Sequence, residues 1–148
     1  MEYVLFKDAP LPPSDNQLYR NVPKIGRVKT REYKTYEQSF HQWAWTQRAP
    51  LKALEGWKLS DTDPLALQLI FVLEPAQMYT KKGTIKRFDV QNRGKCFIDL
   101  FSKLLNFDDS KFFSVFFIKT TGPRTHVNAV VSPPDLKFFE HPLFKEPS

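Results

Sequence analysis

The pattern of this 148-residue chain is that of one mixed α/β (α+β) domain: a mixed four-stranded sheet with two main helices, in the order β-α-β-α-β-β. Three features carry this expectation. Residues 65–73 are apolar on both faces of a strand, as in the middle of a sheet. Residues 31–48 and 89–105 repeat apolar side chains at helical spacing. A hydrophobic fraction of 41% over this length is enough to bury a core.

The elements follow in order. Tyr3 to Phe6 reads as a first strand, stopped by Pro10, Pro12 and Pro13, which lack an N–H and restrain their predecessors. Residues 14–29 read as an irregular arm. Thr30 can cap a helix over 31–48 whose apolar face holds Tyr33, Tyr36, Phe40, Trp43 and Ala44. Pro50 ends that helix, and 49–63 read as a loop. In the strand at 65–73, Leu65, Leu67, Leu69, Phe71 and Leu73 share one face, with Ala66, Ile70 and Val72 on the other. Residues 74–88 form a basic loop. The helix at 89–105 turns Val90, Gly94, Phe97, Ile98, Phe101, Leu104 and Leu105 to the sheet. Gly94 at its centre implies close backbone approach. Residues 112–120 and 124–131 complete the sheet through a turn at Thr121-Gly122-Pro123. Residues 1–131 thus form the domain, and 132–148 a Pro- and Phe-bearing tail. The three tryptophans read as packing residues, and Phe107 as a core anchor.

Several chemistries are excluded. Cys96 is the single cysteine, so the chain has no internal disulfide and no multi-cysteine zinc site. The scattered glycines form no phosphate loop, and the three histidines no metal pair. No run is long and apolar enough to span a bilayer, and the start lacks a signal-peptide pattern. The expectation is a soluble, cytoplasmic chain with no membrane partner. Lys and Arg number 22 against 16 Asp and Glu, a net charge of +6 that suits either an anionic partner or simple solubility. The excess is positional. Arg20, Lys24, Arg27, Lys29, Arg31 and Lys34 stand in 20–34 with only Glu32 opposing, and Lys81, Lys82, Lys86 and Arg87 in 77–88 with no acid. Such segments neutralise phosphates regardless of sequence, and Tyr19, Tyr33 and Tyr79 beside them could stack on unpaired bases.

The polar face of the 89–105 helix shows Asn92, Lys95, Asp99 and Lys103, with Asp89 at its start. It reads as a solvated face with Asp89 as N-cap, or as part of a site. Asp99 stands four residues from both Lys95 and Lys103, as a charge-balancing partner would. Asp108-Asp109 beyond the helix are adjacent like charges, suited to a turn or to a divalent cation.

The run Lys86-Arg87-Phe88-Asp89-Val90-Gln91-Asn92-Arg93-Gly94-Lys95, continuing through Asp99 to Asp108-Asp109-Ser110, resembles the RusA-like Holliday-junction resolvases. So does Leu11-Pro12-Pro13-Ser14-Asp15-Asn16-Gln17-Leu18-Tyr19-Arg20, which is similar to that family's Pro-Pro-Ser-x-Asn opening. The resemblance runs from about Leu5 to Val131. It implies a homodimeric Mg²⁺-dependent endodeoxyribonuclease, with Mn²⁺ as a substitute, that resolves four-way DNA junctions by paired cuts in recombination and repair. Catalytic residues would be Asp89, Lys95 and Asp109. Metal ligands would be Asp89 and Asp109 with Asp108 and Gln91. Arg20, Lys24, Arg27, Lys29, Arg31, Lys81, Lys82, Lys86 and Arg87 would hold branched DNA, at the nucleoid. Gln91 departs from the family pattern, which has an aspartate there. Either the site binds metal more weakly, Asp108 or Asp99 compensates, or the chain binds junctions without cutting them.

Helix rise puts Asp89 and Asp109 roughly 20 Å or more apart in one chain, so a shared site would need a second, antiparallel copy of the helix. A third reading is a protein-interaction module built on Phe138, Phe139 and Phe144.

Overall fold

The computed structural model describes residues 2–134. In chain order these form β1 (Val4–Ala9), β2 (Tyr19–Val22), β3 (Gly26–Lys29), α1 (Arg31–Ala44), α2 (Arg48–Glu55), β4 (Leu65–Leu73), the single turn α3 (Pro75–Met78), α4 (Gln91–Leu105), β5 (Phe112–Thr121) and β6 (His126–Ser132). Short 3-10 turns at Asp15–Gln17 and Asp109–Lys111 precede β2 and β5.

The fold is mixed α+β, with a four-stranded mixed sheet in the order β1-β6-β4-β5 and a separate two-stranded sheet of β2 and β3. β4 pairs parallel with β5 and antiparallel with β6, the central place that its two apolar faces predict. Leu65, Leu67, Leu69, Phe71 and Leu73 are sealed on one face. Phe6, Val127, Ala129 and Val131 continue that face beneath α1 and α4. Aromatic rings close the layer: Phe101 stands edge-on to Phe6 at 4.9 Å, and Phe97 meets Phe40 at 5.6 Å. On the other face Leu5, Val130, Gln68 and Phe116 lie in register, and Phe116 and Ile118 are exposed.

Caps set the two long helices. The Thr30 side chain accepts from Tyr33 N, as the sequence implies, and fixes where α1 begins. Asn106, left-handed at φ 59°, ends α4. Gly94 is buried against Phe117, where a Cβ would stand 2.2 Å from the ring. This is the close approach that a glycine there implies.

Several expectations are corrected. The arm at 14–29 is a 3-10 turn followed by the β2–β3 hairpin. Helix α1 stops at Ala44, and the loop at 49–63 begins as α2. Pro50 is the third residue of α2, inside the first turn where an N–H has no helical partner, so it tolerates a helix start instead of marking an end. Helix α4 begins at Gln91, not Asp89. Trp45 is exposed with the Arg48 guanidinium over its ring, whereas Trp43 is buried and donates Nε1–H to Lys7 O at 2.7 Å. β6 takes in Ser132, and residues 135–148 of the expected tail, with Phe138, Phe139 and Phe144, lie outside the described residues.

Candidate nucleic-acid interface

The polar side of α4 carries a row of charge. At its N-terminal end the Asp89 carboxylate accepts from Gln91 N at 2.9 Å, so Asp89 does the work of a cap. Gln91 and Lys95 are exposed along the helix. Asp99 is partly buried, and burial raises its carboxyl pKa. Lys95 and Lys103 each lower it, and Asp109 beyond the helix raises it. Neither lysine four residues away forms a salt bridge with Asp99 among the described residues, so they act on it only through their field. Asp108 caps the 3-10 turn: it accepts from Ser110 N at 2.8 Å, and this bond holds its carboxyl below the usual range.

The fold adds one acid to this row. The 3-10 turn at Asp15–Gln17 packs on α4 and sets Asp15 within the field of Lys95, Asp99 and Asp89. Burial raises the Asp15 carboxyl pKa, Lys95 offsets this, and the two aspartates add to the rise. Asp15 Oδ1 is buried without a hydrogen-bond partner. In the sequence Asp15 stands only inside the Leu11–Arg20 segment, and no spacing rule links it to a helix some eighty residues later. Arg93 ties the two segments together by donating to Pro12 O at 2.9 Å, and its guanidinium covers the Phe88 ring.

These donors do not fit a single divalent ion in one chain. Asp89 and Gln91 stand before and at the start of α4, and Asp108 and Asp109 lie past its end. The 15 residues of the helix separate its ends by about 20 Å. Among the described residues, no group of three or more His, Cys, Asp or Glu side chains is placed to share a metal ion.

Two basic projections are rooted beside this row. The first is the β2–β3 hairpin, which continues from the Asp15 turn and places Arg20, Lys24 and Arg27 in solvent. Arg31 is exposed at the start of α1. Lys29 pairs with Glu37 at 3.1 Å, so its charge is partly committed. The second projection is the segment expected as a basic loop. It is a small hairpin closed by a Tyr79–Ile85 bridge and by Thr80 N donating to Thr84 O at 2.8 Å. Lys81 and Lys82 sit at its tip, and Lys86 and Arg87 lead on to Asp89 and α4. Among the described residues, Arg20, Lys24, Arg27, Arg31, Lys81, Lys82, Lys86 and Arg87 form no salt bridge. Between hairpin and helix lies a cleft of about 370 Å³ lined by Tyr19, Lys29, Tyr33, Asp99, Ser102 and Lys103.

No helix among the described residues is long and apolar enough to cross a membrane. No protein-family model matches the chain, and no curated protein matches it.

Proposed function

We propose that this chain binds branched DNA and, as a homodimer, acts on four-way (Holliday) junctions as a structure-specific Mg²⁺-dependent endodeoxyribonuclease of the RusA-like kind. One observation carries the reading: eight exposed cations, without salt-bridge partners among the described residues, stand on and beside two projections, one continuing from the turn that packs on α4 and one leading into the start of that helix. Phosphates lying near the polar face of α4 would meet positive charge from these projections. Lys95, exposed between Asp15 and Asp99, would meet a phosphate directly. The acids of one chain do not converge, so a second copy would have to complete any shared metal site, and no catalytic step is assigned to the ion.

A second reading is a non-catalytic branched-DNA-binding protein. Gln91 favours it, because an amide brings an oxygen but no charge, and so does the separation of Asp89 from Asp109.

A synthetic four-way junction incubated with Mg²⁺, Mn²⁺ or chelator separates the two. Paired nicks that need metal, abolished in Asp89→Asn and Asp109→Asn while junction binding is kept, are the expected result. Tight binding with no nick in any metal selects the second reading, and failure to bind any DNA overturns both.

A further inference from the structure

We propose that Ile25, at the tip of the β2–β3 hairpin, is an apolar wedge that inserts into the base stack where DNA branches. This rests on the DNA-binding reading above and adds to it a residue that distorts the helix.

Turn chemistry does not ask for isoleucine here. The bend runs Val22-Pro23-Lys24-Ile25, closed by Ile25 N donating to Val22 O at 3.1 Å. Pro23 presets the first bend, and Lys24 takes a left-handed φ of 68° that glycine or asparagine would adopt more easily. A large apolar side chain follows, where turns favour small polar ones. Ile25 is 74% exposed, more than any other large hydrophobic residue described. Isolated exposed apolar side chains are ordinary on protein surfaces. Lys24 stands beside this one, with Arg20 and Arg27 lower on the same hairpin, all in solvent. Ile85, 70% exposed on the other basic hairpin, sits instead in that hairpin's closing bridge with Tyr79, so Ile25 is the one at a bare tip. Gly26 beside it takes a left-handed φ of 93°, which favours glycine.

The hairpin is bare at the tip and braced at the base. Arg27 lies 3.8 Å over the Tyr19 ring, which meets Tyr33 of α1 edge-on at 5.5 Å. Lys29 pairs with Glu37 of α1. The Thr30 hydroxyl donates to the carbonyl oxygens of Gln17 and Leu18, and Thr30 N donates to Leu18 O at 2.9 Å. A two-stranded ribbon alone is marginal in water. These contacts hold it to the helix, so force at the tip reaches the body of the molecule. A basic two-stranded ribbon fits a DNA groove, and proteins that kink DNA commonly insert Ile, Leu, Phe or Pro between base steps. Unstacking is least costly where stacking is already interrupted, as at a branch point.

The test uses the full chain and four-way junctions carrying, at the branch, a fluorescent adenine analogue that brightens when unstacked. Wild type should brighten the probe several-fold, Ile25→Leu should do the same, and Ile25→Ser should not. Because phosphate neutralisation dominates affinity, Ile25→Ser should bind within about threefold of wild type. Thermal unfolding should be unchanged in both variants, since the side chain is exposed. Equal brightening by wild type and Ile25→Ser, or tight wild-type binding without brightening, overturns the wedge alone. Failure of wild type to bind either junction or duplex overturns the DNA reading and the wedge with it.

Discussion

Gly94 shows how much one missing carbon can decide. A Cβ there would lie 2.2 Å from Phe117 Cε1 and 2.6 Å from Cζ. Alanine should gain about 1 kcal/mol of helix propensity. The overlap should cost more, on the order of 1–3 kcal/mol. Urea unfolding should therefore show Gly94→Ala destabilised, and less so in a Phe117→Leu background, where the ring is gone. Cys96, two positions on, is sealed beneath the same helix. Burial pushes its thiol from 9.0 up to about 12, with Asp15, Asp99 and Glu37 adding to the rise. Maleimide should leave the native thiol unlabelled near neutral pH and modify it only on unfolding. A thiol whose folded pKa is raised stabilises the fold fully below its unfolded value. That contribution disappears as pH climbs from about 9 towards 12. Cys96→Ala should accordingly flatten the fall of the urea midpoint above pH 9. Tyr33 and Tyr36, whose hydroxyl pKa values burial also raises, should leave a residual slope.

At the scale of elements, the sequence is legible where one pattern runs long. β4 is apolar on both faces over nine residues save Gln68, and α4 keeps an apolar side over fifteen. It misleads where a local signal is sparse or has two meanings. Strands β2 and β3 have four residues each, and the turn between them, Pro23-Lys24-Ile25, lacks the Asn-Gly type of cue. Proline both opens helices and follows their ends, so Pro50 conceals α2. The basic residues themselves are legible. That they form two hairpins beside α4 is not, because it depends on how Asp15–Gln17 and Phe88 dock on that helix. The hairpins yield a quantitative expectation. Each phosphate that a cation neutralises adds about 0.9 to the slope of log binding constant against log salt. Replacing Lys81, Lys82 and Lys86 together with alanine should therefore reduce that slope by about 2.7, read from binding titrations at several salt concentrations. The Lys29→Ala slope should change less than that of Arg27→Ala, because Glu37 already holds Lys29.

For the whole molecule, the decisive pairing joins distant parts of the chain. β1 forms an edge of the main sheet by running antiparallel to β6, with Val4 opposite Val131 and Phe6 opposite Ala129. No sequence pattern announces a contact between positions more than 120 residues apart. It is a consequence of burial, since Val127, Ala129 and Val131 alternate inward and need a neighbour on their open side. Phe6 supplies it, sealed from solvent with its ring edge-on to Phe101. The strand is pinned further by Trp43 Nε1 donating to Lys7 O and by Arg124 bonding Asp8 at the bulge, where Asp8 takes a φ of 65°. Because the first strand closes the sheet against the last one described, its anchor bears on the entire core. Phe6→Ala should cost about 3–5 kcal/mol. Domains of this kind are stable by only about 5–15 kcal/mol. The variant should thus forfeit a large share of its stability, read as a lower urea midpoint with α1, α4 and the sheet unfolding together. Tyr3→Ala, three residues earlier and largely exposed, should shift the midpoint little. If Phe6→Ala instead left the midpoint in place and only frayed β1, the edge strand would be an appendage and the core would close without it.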